Sequence, residues 1–191
     1  MKSSFKTVEA TIEAIKSGHL SILDFAKKHL ETIEKKNQCF NAIISQISEE
    51  IIENALQQIE NSKKKHIELP PLAGFPIAVK DLENTKGILT THGSPIFRNN
   101  VPKLDSPMVK NLKKAGCIVI GKTNVPEFGV GSQTFNPLYG STRNPIDSNL
   151  TSGGSSGGAA SAVASGMLPF ADGSDMMGSL RNPAAFCSIY G

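Results

Sequence analysis

The chain has 191 residues, 39% hydrophobic and 19% charged, with a net charge of +3 and no tryptophan. That length suits about one domain with a buried core, and the balance excludes disordered, collagenous and membrane-spanning classes. The longest apolar runs are about five residues, too short for a bilayer, and a charge of +3 does not by itself imply nucleic acid.

In chain order, the N-terminus has a lysine but no apolar core, so no secretory signal is expected. Residues 8–17 place Val8, Ile12 and Ile15 on one helical face, with Thr7 as N-cap and Gly18 just past the end. Residues 22–36 repeat the pattern with Leu23, Ala26, Leu30 and Ile33, and Ser21 and Asp24 stand at capping-box spacing. A short strand at 42–47 precedes a third amphipathic helix over 49–64. The lysine pairs and the run 63–65 read as solvated helix faces and ends.

Pro70-Pro71 ends the helical region, Phe75–Val79 reads as a buried strand closing at Lys80-Asp81, and Ser106-Pro107 opens a helix to about Ala115. Cys117–Ile120 is β-branched and strand-like, 129–156 is rich in turn residues, and 159–165 is a helix of small residues. Helices and strands alternate without a repeat, which predicts an α/β layered domain. Cys39, Cys117 and Cys187 are too few and too far apart for a metal motif or a disulfide framework, so a reducing cytoplasm is expected.

The averages hide a gradient. Residues 1–66 hold 19 charged residues and one glycine, whereas 151–191 hold three charged residues (Asp172, Asp175, Arg181), eight glycines and eight serines. The tail is where chemistry should be sought. Two motif matches fail there or nearby. Gly116–Thr123 fits GxxxxGK[ST], but its intervening residues are themselves the strand, and strand amides point into a ladder rather than round a phosphate. The cluster at 153–158 fits GxSxG twice, around Ser155 and Ser156, but His19, His29, His66 and His92 all precede it. A hydrolase of that type needs its histidine after the nucleophile; three of the four lie in the charge-rich helical region, where exposed histidines are expected. A lysine is then the remaining common base, if burial makes it neutral near pH 7. Lys80, closing an apolar run, is the best placed; a surface charge reaching out to water stands as its other reading.

The motifs LAGFPIAVKD (72–81), GILTTHGS (87–94), DSPMVKNLKKAG (105–116), GKTNVPEFG (121–129), STRNP (141–145), SGGSSGGAASAVASG (152–166) and GSDMMGSLRNPAAFC (173–187) follow one another in the order and spacing of a known family. In them the chain resembles the amidase signature family, the Ser–cis-Ser–Lys amide hydrolases. The resemblance implies an α/β fold with a mixed β-sheet flanked by helices and incomplete at the C-terminus. It divides the chain into a helical region, 1–66, and the N-terminal part of the catalytic domain, 67–191. It also implies Lys80 as base, Ser155 as the serine with the cis peptide and Ser179 as nucleophile. The amides of Met176, Met177, Gly178 and Ser179 become the oxyanion hole, with Ser156, Asp175 and Arg181 in support. Acyl transfer of this kind needs no metal or organic cofactor.

The expected partners are a small-molecule amide and a second copy in a homodimer, with no direct nucleic-acid contact and no membrane. Met177 stands where the family usually has glycine, which implies an altered substrate shape. The chain ends soon after Ser179, whereas the family domain is more than twice as long. Other readings are the amidase subunit of a tRNA-dependent amidotransferase, disfavoured by the Met176-Met177 pair, and a truncated remnant without turnover. Part of the uncharged tail is expected to be exposed.

Overall fold

A computed structural model describes residues 7–191; residues 1–6, part of the N-terminal stretch read above for a secretory signal, lie outside the described residues. Three helices come first, and their ends follow from local chemistry. In α1 (Val8–Lys16) the Thr7 hydroxyl accepts the Ala10 amide at 3.1 Å. In α2 (Ile22–Phe40) the Ser21 hydroxyl accepts the Asp24 amide at 3.3 Å. This helix runs four residues past the expected end at 36 and stops where Asn41 turns left-handed, a conformation asparagine tolerates. The Asn37 side chain then folds back, accepting the amides of Ala42 and Ile43 and donating to the Ile43 carbonyl. That clamp starts β1 (Ile43–Ile44), which is shorter than the expected strand over 42–47 because Ser45 takes a positive φ. The third helix is α3 (Glu49–Lys64).

The apolar run at 75–79 becomes β2 (Pro76–Lys80). After it, α4 (Pro107–Lys114) carries the chain across to β3 (Ile118–Thr123), which pairs parallel with β2; β1 adds antiparallel to the other edge of β3. The sheet order is β1-β3-β2, a mixed sheet with helices packed on it. β3 continues beyond the expected Ile120 through Gly121, Lys122 and Thr123, so the GK pair of the phosphate-loop pattern lies inside a strand. Phe75, Ile77, Ala78 and Val79 are at most 1% exposed. A strand covered on both faces reads as a continuous apolar run rather than an alternation, and each such large side chain contributes about 1.5–3 kcal/mol by leaving water. Ile22, Phe25, Ile33, Ile52 and Leu56 join them in one cluster, so the helices of 1–66 share the core of the sheet.

The stretch 129–156 is irregular apart from a small hairpin, β4 (Phe135–Asn136) with β5 (Gly140–Ser141). It leads to α5 (Gly157–Ala164), and the last helix is α6 (Arg181–Phe186). Among the described residues no helix is long and apolar enough to cross a membrane.

Two expectations about the helical region are corrected. His29 is not exposed: its Nδ1 lies 3.1 Å from the Met167 carbonyl and its ring packs edge-on to Phe25. Lys36 is not merely solvated, because its amine donates to the Ser165 carbonyl at the C-terminus of α5. Cations at that end of a helix are favourable.

The small residues of α5 allow close approach. A Cβ added at Gly158 would lie 2.8 Å from the Ala42 carbonyl oxygen and closer still to the Asn124 backbone. Gly158→Ala should therefore destabilise the fold by about 1–3 kcal/mol through forced separation of α5 from the sheet. Urea denaturation should show a lower midpoint at unchanged slope; an unchanged midpoint would contradict this packing.

Candidate active site

Lys80 ends β2 with its side chain directed inward; the residue is 1% exposed, so it is buried rather than reaching out to water. Its Nζ lies 2.9 Å from Ser155 Oγ, 2.7 Å from Ser156 Oγ and 2.8 Å from Ser174 Oγ. Among the described residues no carboxylate lies within ion-pair distance of this amine. Burial lowers its pKa from the ordinary lysine value to about 8, against the opposing pull of Asp172, Asp175 and Glu83.

The two serines come from the turn that opens α5, where the Gly154–Ser155 peptide is cis. The Ser156 amide donates to the Ser179 carbonyl at 3.0 Å, joining this turn to the 173–180 loop. Ser155 and Ser179 line one cavity of about 620 Å³ with Leu82, Phe128, Met176 and Met177. Among the described residues their hydroxyls are not hydrogen-bonded to each other; such contacts commonly tighten only with substrate in place.

Asp175 organises the loop. Its Oδ1 accepts the Gly178 amide at 2.7 Å, and its Oδ2 accepts the amides of Leu180 and Arg181. The Arg181 guanidinium closes a two-pronged contact at 2.9 and 3.0 Å. The guanidinium and the Gly178 amide hold the Asp175 carboxyl well below the usual carboxylate range. Gly178 has φ +103, and an added Cβ would meet the Asn182 amide nitrogen at 2.8 Å, so a side chain here would be strained and crowded. Met177 is outside the left-handed region and is 85% exposed, so the backbone accepts it without distortion. Of the four amides expected to bind an oxyanion, that of Gly178 is committed to Asp175. Those of Met176, Met177 and Ser179 have no acceptor among the described residues.

Behind the site lies a second buried lysine. Lys122 donates to the Glu83 carbonyl and, at 2.9 Å, to Thr85 Oγ1. Burial lowers its pKa to about 8 as well. Asp81 is fully buried and accepts from the Thr91 hydroxyl and the amides of Thr91 and Gly93; burial raises its pKa. Asp172 Oδ1 accepts the Lys80 amide at 2.9 Å, and burial raises that carboxyl to about 6. Burial pushes the Cys117 and Cys187 thiols up to about 11. Among the described residues no group of three or more His, Cys, Asp or Glu is arranged to hold a metal ion.

Sequence reasoning missed Ser174 and Asp172. Ser174 lies inside the motif 173–187, and Asp172 is one of three charges in an otherwise uncharged tail. That isolation was the available signal.

A family model described as Amidase matches residues 24–191. A glutamyl-tRNA(Gln) amidotransferase subunit from Psychrobacter sp. is 39% identical over 185 residues, 97% of this chain and 37% of that protein. Indoleacetamide hydrolase of Bradyrhizobium diazoefficiens is 42% identical over 174 residues, 91% of this chain and 33% of that protein. Among solved structures, a vestigial protein complex that reveals the evolutionary origins of an s-triazine catabolic enzyme superposes with a TM-score of 0.89. It is 40% identical and covers 96% of this chain and 40% of that one. The chain thus spans well under half the length of the curated relatives it matches. With most of its residues matched by that model and the same fold in its relatives, the chain belongs to the amidase (amidase signature) family.

Proposed function

We propose that this chain carries the catalytic centre of an amide hydrolase, with Ser179 as nucleophile, Ser155 as relay and Lys80 as base. The observation that carries the reading is a buried amine among three hydroxyls with no paired carboxylate. A neutral amine has two N–H donors and one lone pair. With Ser156 and Ser174 as acceptors, the lone pair is left for the Ser155 proton. Ser155 then takes the proton of Ser179, whose Oγ attacks the carbonyl carbon of the amide. The oxyanion is held by backbone N–H groups of Met176, Met177 and Ser179, each worth about 3–4 kcal/mol in comparable sites. The Gly178 amide serves the loop instead, through Asp175. As the C–N bond breaks, the relay returns the proton to the leaving nitrogen. Water, deprotonated by the same relay, then releases the acid and regenerates Ser179. The substrate class is a small-molecule amide. Three unpaired cysteines fit a reducing compartment such as the cytoplasm.

A second reading, the glutaminase component of a tRNA-dependent amidotransferase, is favoured by relatives such as that of Psychrobacter sp.. The exposed Met176-Met177 pair keeps it second. Glutaminase activity that appears only with a partner subunit would reverse this order.

A fluorophosphonate probe should label Ser179. Lys80→Ala should lower the labelling rate by about 10²–10⁴, the usual contribution of a positioned base, and Ser179→Ala should abolish it. A folded chain that stays unlabelled would instead indicate a protein without turnover. The base must be deprotonated to act, so the rate should rise with pH through a midpoint near 8 and level off above it. A flat profile between about pH 6 and 9 would remove Lys80 from the role.

A further inference from the structure

Asp172 is an ionisable group that the relay does not use. It lies on the segment between α5 and the 173–180 loop, and its Oδ1 accepts the backbone N–H of Lys80 at 2.9 Å. It faces Lys80 on β2, Lys122 on β3 and Glu83 in the turn after β2, while Asp81 faces Lys122 from the same turn and Asp175 faces Lys80 from the nucleophile loop. Two buried lysines therefore share two carboxylates, Asp172 and Glu83, with Asp105 also facing Lys122. Among the described residues none of these is within ion-pair distance of either lysine. Of the shared pair it is Asp172 whose side chain bonds the Lys80 backbone. Resting on the amide-hydrolase reading, we propose that Asp172 is a positioning residue that fixes the end of β2 and sets the fraction of Lys80 available as neutral base.

Two actions at one carboxylate can be separated. The hydrogen bond needs only an oxygen acceptor, which asparagine supplies. The charge effect needs the ionised carboxylate, which favours the protonated amine. Burial raises the Asp172 carboxyl to about 6 and lowers Lys80 to about 8, an order that leaves Asp172 mostly ionised where Lys80 loses its proton. Removing the charge should make Lys80 neutral at lower pH; below about 6 the native carboxyl is itself protonated, and the difference should vanish.

The test is the pH dependence of fluorophosphonate labelling in the full chain, for the native protein, Asp172→Asn and Asp172→Ala, with the Lys80 Cε resonance followed by NMR titration. In Asp172→Asn both midpoints should move down by about half a pH unit or more, making labelling at pH 7 about threefold faster. Asp172→Ala should also lose rate at the plateau. In the native protein the Cε resonance should carry a second, smaller inflection near pH 6, a readout that survives if the variants do not fold. An unmoved midpoint in Asp172→Asn, or no second inflection, overturns the proposal and leaves a structural hydrogen bond. Absence of labelling together with a shifted NMR midpoint would instead overturn the amide-hydrolase reading while supporting the coupling.

Discussion

Lys80 is held out of water at the carboxyl end of a strand with hydroxyls, not a counter-ion, for company. Burying a full charge without pairing is costly, and a lysine meets that cost by giving up its proton more easily. Much of the structure serves this condition. The sheet covers both faces of β2 so that its end lies inside the protein, α5 approaches closely enough to deliver Ser155 and Ser156, and the 173–180 loop supplies Ser174 from the other side. None of these groups is near Lys80 in sequence.

The neighbouring charges follow a different logic. Lys122 is as buried as Lys80, but it hydrogen-bonds to a carbonyl and a threonine and faces Asp81. Its partners lie in the turn that follows β2, so its geometry ties that turn to β3. A buried polar group with satisfied bonds specifies one arrangement of the chain around it. Two lysines with similar environments thus differ in where their partners lead: Lys80 is bonded to Ser155, which lines the cavity with Ser179, whereas the Thr85 hydroxyl beside Lys122 donates back to the Glu83 carbonyl within the turn.

The sequence made the order of elements, the buried strand and the caps legible because those depend on neighbours within a few residues. Thr7, Ser21 and Ser106 all accept the amides expected of them. The limits of α2 and β1 were less legible, since α2 stops at the left-handed Asn41, β1 starts at the Asn37 clamp on residues 42 and 43, and β1 ends at the positive φ of Ser45. Lys80 could be named from its position, but its burial depends on hydroxyls 75 to 94 residues away. Ser156, Asp175 and Arg181 came from the family resemblance, and the structure places them around the same loop. The commitment of the Gly178 amide to Asp175 needed coordinates, because nothing in local spacing distinguishes it from its neighbours.

Met177 stands at the mouth of the cavity on an ordinary backbone, with its side chain turned to solvent. The atoms proposed to stabilise charge beside it belong to the main chain, and main-chain atoms are the same whatever residue is attached. A position of this kind separates two evolutionary pressures. Its exposed side chain can change by single substitutions without touching the Asp175 fork and the Gly178 turn that flank the amide it carries. The loop is in that sense a rigid tool with an interchangeable tip.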